Sequence, residues 1–335
     1  MIKYIGSKRK LLPWIADTIQ GLGGTNRSVI DLFSGTSRVG HHLKGLGYQV
    51  ISNDLNRYAH QVATCYVQAD LEDYQNIVPP ILDELQKLPG VEGYVTQTFC
   101  RDSRYFQPFN GMKIDAIRDA IEGRGDPPEL KAILLVSLME AADRVDSTTG
   151  VQMAYLKKWS RRSYNPLQLR MPHLQPASPN GKCQAHNLDA CVAAAQLTAD
   201  IAYLDPPYNQ HKYLGNYHIW ETLVRWDAPE HYGVACKRID VRERKSPFNS
   251  KRRIRQAMST VVANLDVSHV VVSFSDEGYL SKDEMIEVLS ERGNVRVVSR
   301  DHDRYVGARI GIHSPSGEKV GSVSHTKNTE YLFVC

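Results

Sequence analysis

The apolar strand segments of this chain fall into two groups with a long helical stretch between them, and that division constrains the fold more than any other feature. SVIDLF (residues 28–33) is a short apolar strand, SGTSRVG a turn entering a helix, and YQVISND (48–54) a second strand ending in an acid. ILDELQKL, IDAIRDAI and ELKAILLVSLMEAADRV then place apolar residues at i, i+3, i+4 and i+7, the spacing of amphipathic helices. Strand patterns resume only at IAYL (201–204), followed by SHVVVSF, VRVVS and EYLFV. The expectation is an α/β fold whose sheet starts, is interrupted by about a hundred helical residues, and resumes. Residues 1–70 and 185–335 would form the discontinuous sheet domain and residues 71–184 a small helical insert. PHLQPASPNGK (172–182), rich in Pro, Ser and Gly, would be the return linker.

A chain of 335 residues is long enough for one large domain and a smaller one, and 42% hydrophobic with 23% charged residues is ordinary for a soluble protein. No run approaches the roughly 18 apolar residues of a membrane span, and MIKYIGSKRKLL has no apolar signal core. The six cysteines are scattered, without a CxxC pair or histidines at ligand spacing. A soluble, cytoplasmic monomer with reduced thiols, no metal and no membrane partner is expected.

In DLFSGTSRVG a strand runs into a glycine-containing turn and then a helix. Gly35 has no Cβ, so the backbone can bend tightly there and a ligand can approach it. Asp54 closes the next strand about twenty residues on, where a carboxylate can accept hydrogen bonds from ribose hydroxyls. The dinucleotide pattern GxGxxG is absent, since Thr36, Ser37 and Arg38 follow Gly35. A nucleoside without a pyrophosphate is therefore favoured: S-adenosyl-L-methionine fits and NAD does not. A plain structural βα turn would fit the same residues.

YLDPPYNQHKY (203–213) ends the IAYL strand in a carboxylate, two prolines and a tyrosine. The prolines stop strand pairing and stiffen the elbow. Asp205 and the Pro206 carbonyl could accept the two hydrogens of an exocyclic amine while Tyr208 stacks on its ring. Two acceptors on one NH2 free its lone pair to attack a sulfonium methyl, and a duplex base would have to leave the stack to reach them.

KYIGSK (3–8), DLFSG (31–35), NDLN (53–56) and DPPY (205–208), in this order, resemble the D12-class, Dam-like adenine-N6 DNA methyltransferases. NYHIWETL and SFSDEGYLS look like the restriction–modification branch that includes the FokI-type methylases. The resemblance spans nearly the whole chain. It implies a Rossmann-like S-adenosylmethionine-dependent methyltransferase sheet, a small helical target-recognition domain inserted before DPPY, double-stranded DNA as substrate, and base flipping. It also implies a possible cognate restriction endonuclease. Carried over, Tyr4 and Lys8 would lie at the methionine end of the cofactor. Asp31, Phe33 and Gly35 would wall the pocket, Asp54 would hold the ribose, and Asp189 would contact the cofactor adenine. Asp205, Pro206 and Tyr208 would be catalytic. Members of the family often carry a second glycine where this chain has Ser37.

Two basic stretches interleave with aromatics: LKKWSRRSYNPLQLR (156–170) and CKRIDVRERKSPFNSKRRIR (236–255). Lys157, Lys158, Arg161, Arg162, Lys251, Arg252 and Arg253 are the expected phosphate contacts, with Trp159, Tyr164 and Phe248 available to fill the space of a flipped base. The competing readings are a DNA-binding regulator that kept the fold without activity, and an amino-methyltransferase acting on RNA or a protein amide. The intact Asp54, Asp205 and Tyr208 weigh against the first; the Asp at the head of the elbow weighs against the second.

Overall fold

A computed structural model of the chain describes residues 1–23, 27–303, 312–313, 319–321 and 327–335. Seven strands form the central sheet: β1 (Ser28–Asp31), β2 (Gln49–Asn53), β3 (Gln184–His186), β4 (Ile201–Leu204), β5 (His269–Ser275), β6 (Arg296–Asp303) and β7 (Lys327–Val334). Their order is β3-β2-β1-β4-β5-β7-β6. The first five are parallel, while β7 runs antiparallel between β5 and β6. This is the mixed α/β sheet expected of a Rossmann-like fold.

The strands are short apolar runs because both faces are covered. Side chains alternate across the sheet: Ile30, Ala202, Leu204, Val270 and Val272 face one core with helices Ile254–Asn264 and Lys282–Ser290. Val29, Val50, Ile201, Tyr203 and Val271 face the other, with helix Leu12–Gln20. The edge strand β3 has no counterpart in the sequence reading, which resumed strands only at residue 201. Three residues long, polar and partly exposed, it gives no apolar run to detect.

The helical stretch packs beside this sandwich. Phe99, Ile114, Ile133 and Leu138 share one core with Tyr58 and Val62 of helix Arg57–Ala63 and with Ile219 and Trp220 of helix His218–Arg225. Helix Pro128–Val145 is buried on nearly every face, so it is a core helix and not the amphipathic one its spacing suggested. Lys3 ties the N-terminal segment to its end through Asp143 and Asp146. Among the described residues no helix is long and apolar enough to cross a membrane.

Candidate active site

The strand order reverses between β1 and β4, and in open α/β sheets a crevice forms beyond the carboxyl ends of strands at that point. A cavity of about 290 Å³ opens there. Tyr4 and Lys8 reach it from the N-terminal segment, and Asp31, Phe33 and Gly35 from the end of β1. Asp54 comes from β2, Asp189 from the loop after β3, and Asp205 from the end of β4. The structure therefore gathers all eight expected cofactor residues around one space.

Local geometry explains several of these positions. Gly35 has φ +52°, and a Cβ on it would lie 3.2 Å from Tyr4 Oη. Ser37 also takes a left-handed conformation, φ 54°, which accounts for a glycine being favoured at that position. The Tyr4 ring is held in a stack with Tyr217 (4.5 Å between centroids) and Tyr213 (5.2 Å), and its Oη lies 3.2 Å from Tyr58 Oη. Asp189 caps helix Ala190–Gln196 by accepting the Cys191 N–H at 2.9 Å.

Three of the four carboxylates that line the cavity are raised by burial. Burial, and then the charge of Asp205, push Asp31 up to about 7, against the pull of the Gly40 N–H it accepts at 3.2 Å. Burial raises Asp54 to about 6 although it accepts hydrogen bonds from Gly35 and Asn56. Burial likewise raises Asp205 to about 6, opposed by the Lys8 ammonium 3.1 Å away. Burial alone would depress Lys8, but Asp205 and Glu330 outweigh it and hold its ammonium well above the usual lysine range. A positive charge placed beside Asp31 or Asp54 would offset the burial that raises them.

At the elbow, Pro207 lines the cavity, while Pro206 is buried and Tyr208 stands just outside the walls. The Tyr208 ring packs against Phe274 at 5.2 Å, tilted by 56°, and its carbonyl accepts the Tyr279 N–H at 2.8 Å. Asn249 clamps the following loop by donating to the Asn209 and His211 carbonyls at 2.7 and 3.0 Å.

Residues 4–288 match the family model of the D12 class N6 adenine-specific DNA methyltransferases. The chain belongs to that class. It is 30% identical over 349 residues to the type II methyltransferase M.NlaIII of Neisseria lactamica, covering 99% of this chain and 98% of the relative. It is 32% identical to the type II methyltransferase M.CviAII of Paramecium bursaria Chlorella virus 1, covering 91% and 92%. The type II methyltransferase M.FokI of Planomicrobium okeanokoites is 31% identical over 87% of this chain, which spans only 47% of that longer relative. The protein is thus a site-specific DNA methyltransferase of the adenine-N6 type, as its motifs indicated, and the inactive-regulator and RNA or protein readings fall away.

The basic stretches of the methyltransferase divide on inspection. Lys157, Lys158, Arg161, Lys251, Arg252 and Arg253 are exposed. Arg162 is not available in the same way: its guanidinium is spent on Asp146 Oδ1 (Nε at 2.9 Å) and the carbonyls of Asp146 and Thr148. Phe248 is buried against Phe33, ring centroids 5.0 Å apart, and walls the cavity instead of standing on the exposed basic surface. Trp159 lies under the Arg104 guanidinium, 4.9 Å from its ring centre. The sequence reading did not single out Tyr213, Arg244, Lys245 or Asn249 as cavity residues, nor Glu330 beside Lys8. Arg244 and Lys245 were visible only as part of a charge run, which carries no signal of direction. Among the described residues, no group of three or more His, Cys, Asp or Glu is placed to hold a metal ion.

Proposed function

We propose that the methyl donor is S-adenosyl-L-methionine, held in the 290 Å³ cavity, and that a target adenine leaves the DNA duplex to meet Asp205, Pro206 and Tyr208. The observation that carries this reading is the convergence of Tyr4, Asp31, Phe33, Gly35, Asp54 and Asp205 on a single space. The residues suit that donor. Gly35 leaves open a cradle that a Cβ would narrow, and the buried Ser34 Oγ at the cavity wall has no hydrogen-bond partner in the protein. Asp54 would hold the ribose, Phe33 and Phe248 would flank the adenine ring, and Asp31 and Asp205 would favour the positive sulfonium end. When bound, the donor supplies a methyl group on that sulfonium sulfur.

Asp205 would accept one hydrogen of the adenine amine and the Pro206 carbonyl the other, fixing the nitrogen with its lone pair free. Tyr208 would stack on the base, once its ring turns from Phe274. The exposed Lys157, Lys158 and Arg161, with Lys251 to Arg253, would neutralise phosphates, and the helical insert, residues 71–184, would carry target recognition. A monomer working in the cytoplasm alongside a cognate endonuclease completes the proposal.

Single-turnover methyl transfer from labelled cofactor to duplex DNA tests it. Asp205→Ala should abolish transfer while cofactor binding survives. Tyr208→Phe should retain partial activity, whereas Tyr208→Ala should lose about one to two orders of magnitude, since base stacking is worth roughly 1–3 kcal/mol. Near-normal transfer in Asp205→Ala would place the chemistry elsewhere.

A further inference from the structure

Asp205 shares its cation. Its Oδ1 lies 3.1 Å from Lys8 Nζ, and the same ammonium lies 3.4 Å from Glu330 Oε2 on β7. Lys8 and Glu330 are both buried, whereas Asp205 keeps a partly exposed face toward the cavity. Glu330 is braced from behind. Its Oε1 accepts Asn328 Nδ2 at 3.2 Å, and that amide also donates to Ser275 Oγ at 3.2 Å. Glu330 does not line the cavity, and a buried ion pair adds little net stability by itself.

Resting on the reading of Asp205 as acceptor of the substrate amine, we propose that Glu330 is a positioning residue for methyl transfer, drawing the Lys8 ammonium partly to itself so that Asp205, which that ammonium keeps ionised, retains free oxygen lone pairs. Without Lys8, the Asp205 and Glu330 carboxylates would stand close together with no cation between them, and one would take up a proton. A protonated Asp205 turns one of its acceptor oxygens into a donor. Without Glu330, the ammonium has a single carboxylate partner and closes on Asp205, competing with the amine for the same oxygens. The arrangement on β7 avoids both states.

Among the described residues, Asp31 from β1 and the phenols of Tyr203 on β4 and of Tyr208 and Tyr213 beyond it also interact with the Asp205 charge. They are common to every variant considered, so changes at Lys8 and Glu330 are read against a fixed background. Asp31, which accepts the Gly40 N–H, ends β1 on one side of β4, whereas Glu330 lies on β7 on the other side.

The experiment is the pH profile of single-turnover methyl transfer to duplex DNA at saturating S-adenosyl-L-methionine, from about pH 5 to about pH 8.5. Glu330→Gln should move the acid limb to lower pH by about one unit and lower the plateau several-fold, while Lys8→Met should move the limb upward. Glu330→Asp, which keeps the charge, should return the limb to its wild-type position. Melting temperature and cofactor affinity are measured for each variant. If Lys8→Met does not fold, the Gln and Asp variants at position 330 still decide. An acid limb unmoved in Glu330→Gln, with the rate falling only as the melting temperature falls, overturns the positioning role. Near-normal transfer in Asp205→Ala would instead overturn the acceptor reading beneath it, so the two failures are told apart.

Discussion

Asp54 Oδ2 accepts the backbone N–H of Gly35 at 3.0 Å, clasping the end of β2 to the turn that leaves β1. Its Oδ1 accepts both the N–H and the side-chain amide of Asn56, at 2.8 and 3.1 Å. The same carboxylate therefore shapes the pocket and, in the proposed reading, would also meet the ligand. The two roles separate by substitution. Asp54→Ala should lose about 1–2 kcal/mol of stability with the clasp and also weaken S-adenosyl-L-methionine at least about tenfold. Asp54→Asn, which can still accept from Gly35, should lose mainly affinity. Calorimetry showing unchanged affinity in both would remove Asp54 from the ligand's contacts.

The two left-handed positions in the same turn predict opposite outcomes. Gly35→Ala forces a Cβ to 3.2 Å from Tyr4 Oη at φ +52° and should cost about 1–2 kcal/mol. Ser37→Gly relieves a strained φ of 54° and removes a buried hydroxyl that has no partner. It should stabilise the protein by about 0.5–1 kcal/mol. Denaturant unfolding reads both; a destabilised Ser37→Gly would show that Ser37 Oγ does more than fill space.

Asp31 gives a pH dependence with a definite sign. Its carboxyl is raised from 3.8 in the unfolded chain to about 7 in the native state. Native Asp31 thus holds a proton that the unfolded chain releases, so its contribution is fully present below about pH 4 and is lost as pH rises through about 7. Relative to wild type, Asp31→Asn should gain stability steadily between those limits, by at most about 4 kcal/mol. The Asn oxygen can still accept the Gly40 N–H. Melting curves whose difference is flat with pH would refute the assignment.

The divided basic stretches predict two kinds of loss. Reversing Arg252 and Arg253 to Glu should weaken DNA binding across sequences and reduce its salt dependence, leaving cofactor affinity intact. Arg162→Ala should instead lower stability by about 1–3 kcal/mol, because Asp146 and the Thr148 carbonyl lose a charged donor. Fluorescence titration at several salt concentrations, paired with melting, distinguishes them. A large affinity loss in Arg162→Ala without a change in melting would return that residue to the DNA surface.

Much of the site was legible because its residues sit at strand ends, where spacing and residue type speak together. Asp31, Gly35, Asp54 and Asp205 each close or follow a short apolar run, and the sheet brings those ends to one edge. The remainder depends on distant pairing that no local pattern encodes. Glu330 meets Lys8 across 322 positions, and nothing in EYLFV announces that its glutamate faces inward. Phe248 sits in a run of charges that suggested an outward surface, yet its ring turns in to Phe33. The burial of helix Pro128–Val145 follows from neighbours on every side, including residues that come after the elbow.

That separation along the chain has a kinetic meaning. Lys8, Asp31, Asp54, Asp205 and Glu330 converge only when segments from far-apart stretches have all docked, and closing such large loops is slow compared with forming local helices. The pocket should therefore be among the last features to mature during refolding, and partly assembled species should have no binding site. A ligand that recognises only the finished arrangement then acts as a latch on the whole topology, with stabilisation growing as the logarithm of its concentration above Kd. Recovery of ligand affinity would time the final assembly of the pocket, where recovery of helical signal would report only the earlier steps.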